Sequence, residues 1–474
     1  MTKLLIFITA LAVNLSCLEN REYDKVKKFS KDNTFDENSD DLTGTESDTR
    51  PEPEGRDDEN QDPTEPNIDP EEDSSAEDED DSEQKNNSPD EVDAKGQDDE
   101  GEPQPETISS YFVYVGANDR ILHYELDQNN GAITEKSVFM LNNNPENRPN
   151  MALQIAIGKD QKFMYVGTEQ SQSLQTLVIN PDNGSLSLLN DPLDLGYSPV
   201  YLHVDDTGDS LVVSSYESDK VEVFPILADG TLSFDMNNRR ELVSDNDEAR
   251  FHSVITSPNN DFILFPNTGP RDGGISKLQG AEFDPINSSI ANIKNLTDPN
   301  SAGPRHIRFH PKLAVFYAVN EYANSVTWYS WDDAGKNLTE LDSILTLEQG
   351  VAATGSHTCA DIHLTSDGRF LYASNRNLGG NDHSIAMFAV DEQTGSLSQI
   401  EGVRVPTVGK PREFAVDPLD KYLFVLGRDS PYQMQSFMIN QASGQLELLE
   451  PYILLTSPTW VEVLTLTKEV EKTQ

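Results

Sequence analysis

Only two of the 474 residues are cysteine, Cys17 and Cys359. A disulfide-stapled scaffold is therefore excluded, and Cys359, at the start of an apolar run, reads as a small buried hydrophobe. Basic residues are also scarce: 35 Lys and Arg stand against 83 Asp and Glu, a formal charge of -48. A nucleic-acid partner needs Lys and Arg to neutralise phosphates, and an anionic lipid surface needs the same. Neither fits this chain. Past Val13 no apolar run is long enough to cross a bilayer. No Gly-x-Ser-x-Gly elbow occurs, so a serine-nucleophile triad is not indicated.

The acidity is uneven. Residues 1–106 hold 35 acidic and 10 basic residues. Residues 51–100 alone hold 23 Asp and Glu, three Lys and Arg and no aromatic residue. Such a segment buries too little apolar surface to offset its conformational entropy, and its like charges stretch it. The expectation is a disordered acidic linker over 18–107, with no EF-hand spacing in it. Ahead of it, Lys3 and the apolar stretch Leu4 to Val13 read as an export signal. The stretch ends at Leu15-Ser16-Cys17, which resembles a bacterial lipoprotein lipobox. That resemblance implies a signal peptide over 1–17, lipidation of Cys17, and membrane attachment through that lipid alone. It departs from the pattern at Asn14, where Leu is usual. The implied location is the cell envelope, on the periplasmic or surface side.

From Ile108 the character changes to short strands separated by Gly, Asn and Asp. One unit of roughly fifty residues recurs seven times. Each unit carries a run aligned on Pro or its stand-in: Pro149, Pro199, Phe251, Pro304, Cys359, Pro411 and Pro458. A second run follows each of the first six, as in Phe163-Met-Tyr-Val-Gly-Thr-Glu and Phe370-Leu-Tyr-Ala-Ser-Asn-Arg. Turns ending at Gly131, Gly184, Gly230, Gly395 and Gly444 precede the outermost strand, where positive φ is cheap for glycine. Four antiparallel strands per unit, a to d, predict propeller blades. The first unit lacks strand a, and the chain ends on an unpaired one, Trp460 to Leu466. Joining them closes an all-β, seven-bladed ring over 108–467, with a short tail over 468–474. A closed ring has no free edge, so a monomer is expected.

Strand a lines the axis and strand b runs back against it. The start of a and the end of b therefore share one face. Starts of a carry Tyr201, His252, Arg305, His306, Asp361 and Arg412, and ends of b carry Glu169, Tyr216, Asn267, Glu321, Asn375, Arg376 and Arg428. Arginines gathered in an acidic domain point to an anionic ligand, and a neighbouring His and Glu could move protons. Trp328 and Trp331 read as packing residues between blades.

Three runs carry a family likeness: Gly303-Pro-Arg-His-Ile-Arg-Phe-His-Pro311, Ala318-Val-Asn-Glu321, and Asp361 through Arg376. They resemble the seven-bladed propeller lactonases, which include the propeller-type 6-phosphogluconolactonases and the fungal carboxymuconate cyclases. Pro411-Arg412 with Phe414, and Pro458-Thr-Trp460-Val, agree. The resemblance implies hydrolysis of a lactone, with His252, Arg305, Glu321 and Arg376 catalytic. His306, Asp361, His363 and Arg412 would bind substrate. His252 or Glu321 would accept the proton, and the arginines would hold the anionic group and the oxyanion. No metal or other cofactor is implied, although Glu169, Glu321 and Asp361 are carboxylates of the kind that hold Ca²⁺. Tyr201 stands where many members carry His, and the connection Pro266 to Gly274 is longer than usual. The competing expectation is a non-enzymatic, surface-tethered propeller that binds a protein or a polysaccharide.

Overall fold

The computed structural model describes residues 107–469 apart from 142–150, 235–240, 244–249, 270–275, 299, 349–350 and 352–354. The expected signal and lipobox, the acidic linker up to residue 106, the tail from residue 470 and most of the long connection before Gly274 lie outside the described residues; Thr107, Lys468 and Glu469, expected in linker and tail, are strand ends. Within them the chain forms seven antiparallel sheets, each built on a four-strand path. The strands a are Pro458–Glu469, Ala152–Ile157, Tyr201–Val204, Ile255–Thr256, Pro304–Phe309, His357–Leu364 and Pro411–Val416, for blades one to seven.

Closure follows the expected route. Pro458–Glu469 pairs antiparallel with Thr107–Ala117, from Thr107 opposite Glu469 to Ala117 opposite Pro458. The C-terminal strand thus supplies strand a of blade one, whose strands b, c and d come from the N-terminal end of the ring. Both strands run a few residues longer than their apolar pattern, because the ladder continues past the residues that pack.

Register also corrects one repeat. Pro304 pairs with Asn320 and His306 with Val319 in blade five, while Ala152 pairs with Thr168 and Gln154 with Gly167 in blade two. Ala152, three residues beyond Pro149, is therefore the equivalent of Pro304. The Pro signal misled because a loop proline precedes this strand.

Blades pack through apolar faces. Trp328 joins a core with Ile362, Leu371 and Phe388 of blade six, and Trp331 one with Phe262 and Leu264 of blade four. Three residues apart on one strand, the two indoles point to opposite faces. Each buried side chain of this size contributes about 2 to 3 kcal/mol.

A second device ties neighbours together. The tyrosine of four b strands donates to the turn glycine of the next blade: Tyr114 to Gly184 O (2.7 Å), Tyr165 to Gly230 O (3.2 Å), Tyr317 to Gly395 O (2.8 Å) and Tyr372 to Gly444 O (2.9 Å). All four glycines have positive φ, between 70° and 83°. At Gly230 a Cβ would stand 2.4 Å from the Phe163 ring, so both the angle and the space require glycine.

Candidate active site at the axial mouth

Where strands a begin and strands b end, polar side chains meet at the axis. A bulge between Pro304 and His306 turns Arg305 inward. Its guanidinium is fully buried. Nη1 donates to Ala360 O (2.5 Å) and lies 3.1 Å from His306 Nε2; Nη2 donates to Glu413 Oε1 (3.2 Å). Nε stands 3.5 Å from Glu321 Oε2. Arg376, at the end of strand b of blade six, donates from Nη2 to Glu321 Oε1 (2.7 Å) and to Cys359 O (2.9 Å). Glu321 thus bridges two arginines. Burial pushes its carboxyl up, but Arg376, Arg305 and Arg412 outweigh burial and hold it below the ordinary carboxylate value.

His306 and Asp361 lie beneath this rim, both buried. Asp361 Oδ1 meets His306 Nδ1 at 2.7 Å and the Ile362 amide at 2.8 Å. Asp361 Oδ2 meets His363 Nε2 at 3.0 Å and the Phe414 amide at 3.2 Å. Burial opposes its ionisation, yet His363 and His306 hold the carboxyl well below its usual range. A carboxylate only accepts, so His306 donates from Nδ1 and presents Nε2 to Arg305. Burial, and then Arg305, take the His306 pKa down to about 3, which keeps the ring neutral. Asp361 therefore orients His306, and His306 orients Arg305.

His252 occupies in blade four the position of Arg305. Its ring lies 5.2 Å from His306 and 5.4 Å from Tyr216. Burial, then Arg305 and His306, hold it far below the ordinary imidazole value. It is a neutral base at pH 7. Arg412 is the open member of the set, its side chain a third exposed, with Nε 3.6 Å from Glu413 Oε1. Burial and the charges of Arg305 and Arg428 bring its pKa down to about 9. That crowding of cations is relieved by an anion.

Orphaned atoms gather here. His252 Nδ1, Arg305 Nε, Arg376 Nε and Glu413 Oε2 are all buried without a hydrogen-bond partner among the described residues. A buried polar group without a partner costs about 1 to 3 kcal/mol. Four around one mouth mark a place where a ligand or water completes the bonding.

Of the residues expected from sequence, His252, Arg305, Glu321, Arg376 and Arg412 come together at the rim. His306 and Asp361 form its floor, and His363 braces Asp361 from below. Cys359 is buried, and burial pushes its thiol up to about 12. The residue that sequence reasoning missed is Glu413. It lies in the Pro411-Arg-Glu-Phe run, and its position two after the proline matches that of His306 and Asp361. Burial pushes its carboxyl up to about 7, against the pull of Arg305.

His306, Asp361 and Glu413 have ligand atoms within 4.8 Å of one another, near enough for a metal ion. Arg305 already places a fixed cation between His306 and Glu413, and Asp361 already accepts four hydrogen bonds. The donor set fits a guanidinium better than a metal. Glu169 and Glu321 add no third close ligand to Asp361.

A closed ring of seven four-stranded blades thus gathers arginines and a neutral imidazole at one axial mouth. Residues 107–463 match the model of the lactonase, 7-bladed beta-propeller family, and the chain belongs to that family. It is 26% identical over 377 residues to the 6-phosphogluconolactonase of Bacillus subtilis (strain 168), covering 75% of this chain and 99% of that one. It is 30% identical over 324 residues to the 6-phosphogluconolactonase of Klebsiella pneumoniae (strain 342), covering 66% and 89%. A solved structure of a candidate 6-phosphogluconolactonase from Bacteroides uniformis superposes with a TM-score of 0.63 at 26% identity, over 75% of this chain and 99% of that one.

Proposed function

We propose that the chain is an exported lactonase that opens an anionic sugar lactone, of the kind that its 6-phosphogluconolactonase relatives are named for. The observation that carries this reading is the mouth itself. Arg305 and Arg412 stand near enough to a neutral His252 to lower its pKa, its Nδ1 has no partner among the described residues, and Arg376 joins them through Glu321.

In the proposed reaction His252 takes a proton from water as the water oxygen bonds to the lactone carbonyl carbon. The carbonyl π electrons move to oxygen, and Arg376, with Arg305 beneath, stabilises that oxyanion. Removing one such donor costs about 10² to 10³ in rate. The tetrahedral intermediate collapses, the ring C–O bond breaks, and the imidazolium returns its proton to the leaving oxygen. A hydroxy acid results. General-base help of this kind contributes about 10² to 10⁴. Glu321 is assigned to hold the two arginines and not to accept the proton, since Arg376 engages Oε1 and Arg305 faces Oε2. Arg412 is assigned to the substrate's anionic group. His306, Asp361 and His363 position Arg305.

Kinetics of an Arg412→Met variant test the anion assignment. KM for 6-phosphogluconolactone is expected to rise about tenfold or more, the worth of one lost charge-assisted contact. KM for the uncharged D-glucono-1,5-lactone should change little. Equal changes for both lactones would remove Arg412 from anion binding. Export and lipidation rest on Lys3, the Leu4 to Val13 stretch and Cys17. Exported, the enzyme would meet lactones outside the cytoplasm, which widens its substrate beyond the phosphorylated metabolite.

A further inference from the structure

Three aromatic rings meet beneath the arginines. Tyr201 meets His306 edge to face at 5.2 Å between ring centroids and Trp460 at 5.7 Å. The arginine mouth lies on one side of these rings. On the other, a cavity of about 240 Å³ opens, lined by residues of blades one, two, three and five. Lys159, in the turn after strand a of blade two, stands at its edge, so this cavity faces away from the mouth.

Two polar groups converge there with bonding capacity left. Arg308 uses Nη1 on the Tyr201 hydroxyl (2.8 Å) and on Ile307 O (3.0 Å). Its Nη2 stands 3.5 Å from His363 Nε2. That nitrogen carries the proton given to Asp361, and two donors make no bond. Nη1 is thus fully used, and Nε and Nη2 remain as a two-donor edge on a side chain that lines the cavity. Glu462 lines the opposite wall and is engaged by the Trp460 indole at 2.8 Å on Oε1 alone. Burial pushes its carboxyl up to about 7, so near neutrality it exchanges hydrogen-bond roles readily. His203, also in the wall, is neutral, held at about 4 by burial. Gln154 is taken up by both ends of the Leu202 peptide and serves as wall.

We propose that this cavity is a second ligand site for a small hydroxy-carboxylate, with the carboxylate on the Arg308 fork and a hydroxyl on Glu462. An arginine fork matches a planar carboxylate in two-point contact. A neutral anion-free ligand would leave the fork unmatched, and a dianion would meet Glu462. The site is separate from the reaction mouth. Only the choice of a sugar acid as ligand rests on the lactonase reading, since opening a sugar lactone yields such an acid.

The two sites are joined through Arg308. It lies 3.9 Å from Asp361 Oδ1, and Asp361 holds His306. A carboxylate that draws Arg308 towards the cavity weakens its hold on the Tyr201 hydroxyl and shifts the charge beside Asp361. The bound acid then slows hydrolysis without competing for the mouth.

Titration calorimetry of the full chain with D-gluconate tests this. The Arg412→Met variant, altered at the mouth, should keep gluconate binding. Arg308→Lys retains the charge but loses the fork, and Glu462→Gln removes the acid. Arg308→Lys should weaken binding about tenfold or more, the loss of a charge-assisted two-point contact, and Glu462→Gln about threefold or more, the loss of one charged acceptor. Gluconate should also inhibit wild-type hydrolysis non-competitively. Unchanged affinity in both Arg308→Lys and Glu462→Gln would overturn the proposal, as would absence of gluconate binding by Arg412→Met. If Arg308→Lys does not fold, Glu462→Gln decides alone. Wild type that binds gluconate yet hydrolyses no lactone would defeat the lactonase reading and leave this site standing.

Discussion

His306 and His252 show how one residue type acquires its character from its surroundings. Both rings are buried beside Arg305, and both are kept neutral far below the ordinary imidazole value of 6.5. His203 and His123 are likewise lowered by burial, each to about 4. A group with a lowered folded pKa binds its proton more readily in the unfolded chain. Its contribution to stability is whole above 6.5 and is lost as pH falls through 6.5 towards 4. Glu413 and Glu462, raised to about 7 from 4.5, act with the opposite sign and lose stability as pH rises across that interval. Four imidazoles outweigh two carboxyls between pH 5 and 6.5. The thermal midpoint should therefore fall by several degrees from pH 7 to pH 5, read by scanning fluorimetry. A midpoint equal or higher at pH 5 would show that these histidines are not buried neutral. At this scale His252, Arg305, Glu321 and Arg376 were legible because they break the repeat pattern. Glu413 and Arg308 were not, since each looks like an ordinary strand residue until the ring sets it against blade five or blade three.

At the scale of the strand and turn, the glycines were readable and their partners were not. Gly184, Gly230, Gly395 and Gly444 stand out because each ends a polar turn before a short strand. The tyrosines that reach them belong to the preceding blade, 65 to 78 residues away. Local pattern carries no trace of that distance. The misaligned second repeat has the same cause: Pro149 is a loop signal, and only pairing with Thr168 identifies Ala152 as the strand's first position. The latches have a measurable worth. Tyr317→Phe removes the donor to Gly395 O and leaves a buried carbonyl, which costs about 1 to 3 kcal/mol. Tyr165→Phe should cost less, its bond being 3.2 Å against 2.8 Å. Urea unfolding would show both as shifts in midpoint at constant slope. No shift in Tyr317→Phe would mean that water replaces the hydroxyl and that apolar packing alone holds adjacent blades.

For the whole molecule, closure by Pro458–Glu469 was legible from counting strands, because a missing strand a at one end matches a spare one at the other. The far cavity was not, since it depends on which side chains of blades one, two, three and five meet. The sequence ahead of the ring carries its own claim. If Cys17 is lipidated, cells fed an alkyne fatty acid should label the full chain, and Cys17→Ala should abolish the label while leaving the propeller soluble. Labelling retained in Cys17→Ala would refute the anchor and leave simple export.

Hydrolysis at the mouth is the central claim. Acid release from 6-phosphogluconolactone and D-glucono-1,5-lactone, followed at constant pH with the purified full chain, measures it directly. Wild type should release acid well above the spontaneous rate. His252→Gln and Arg376→Met should each lose about 100-fold or more in kcat, given the worth of a base and of an oxyanion donor, with circular dichroism unchanged. Wild-type rates at background with both lactones, or equal rates in all three proteins, would contradict the account.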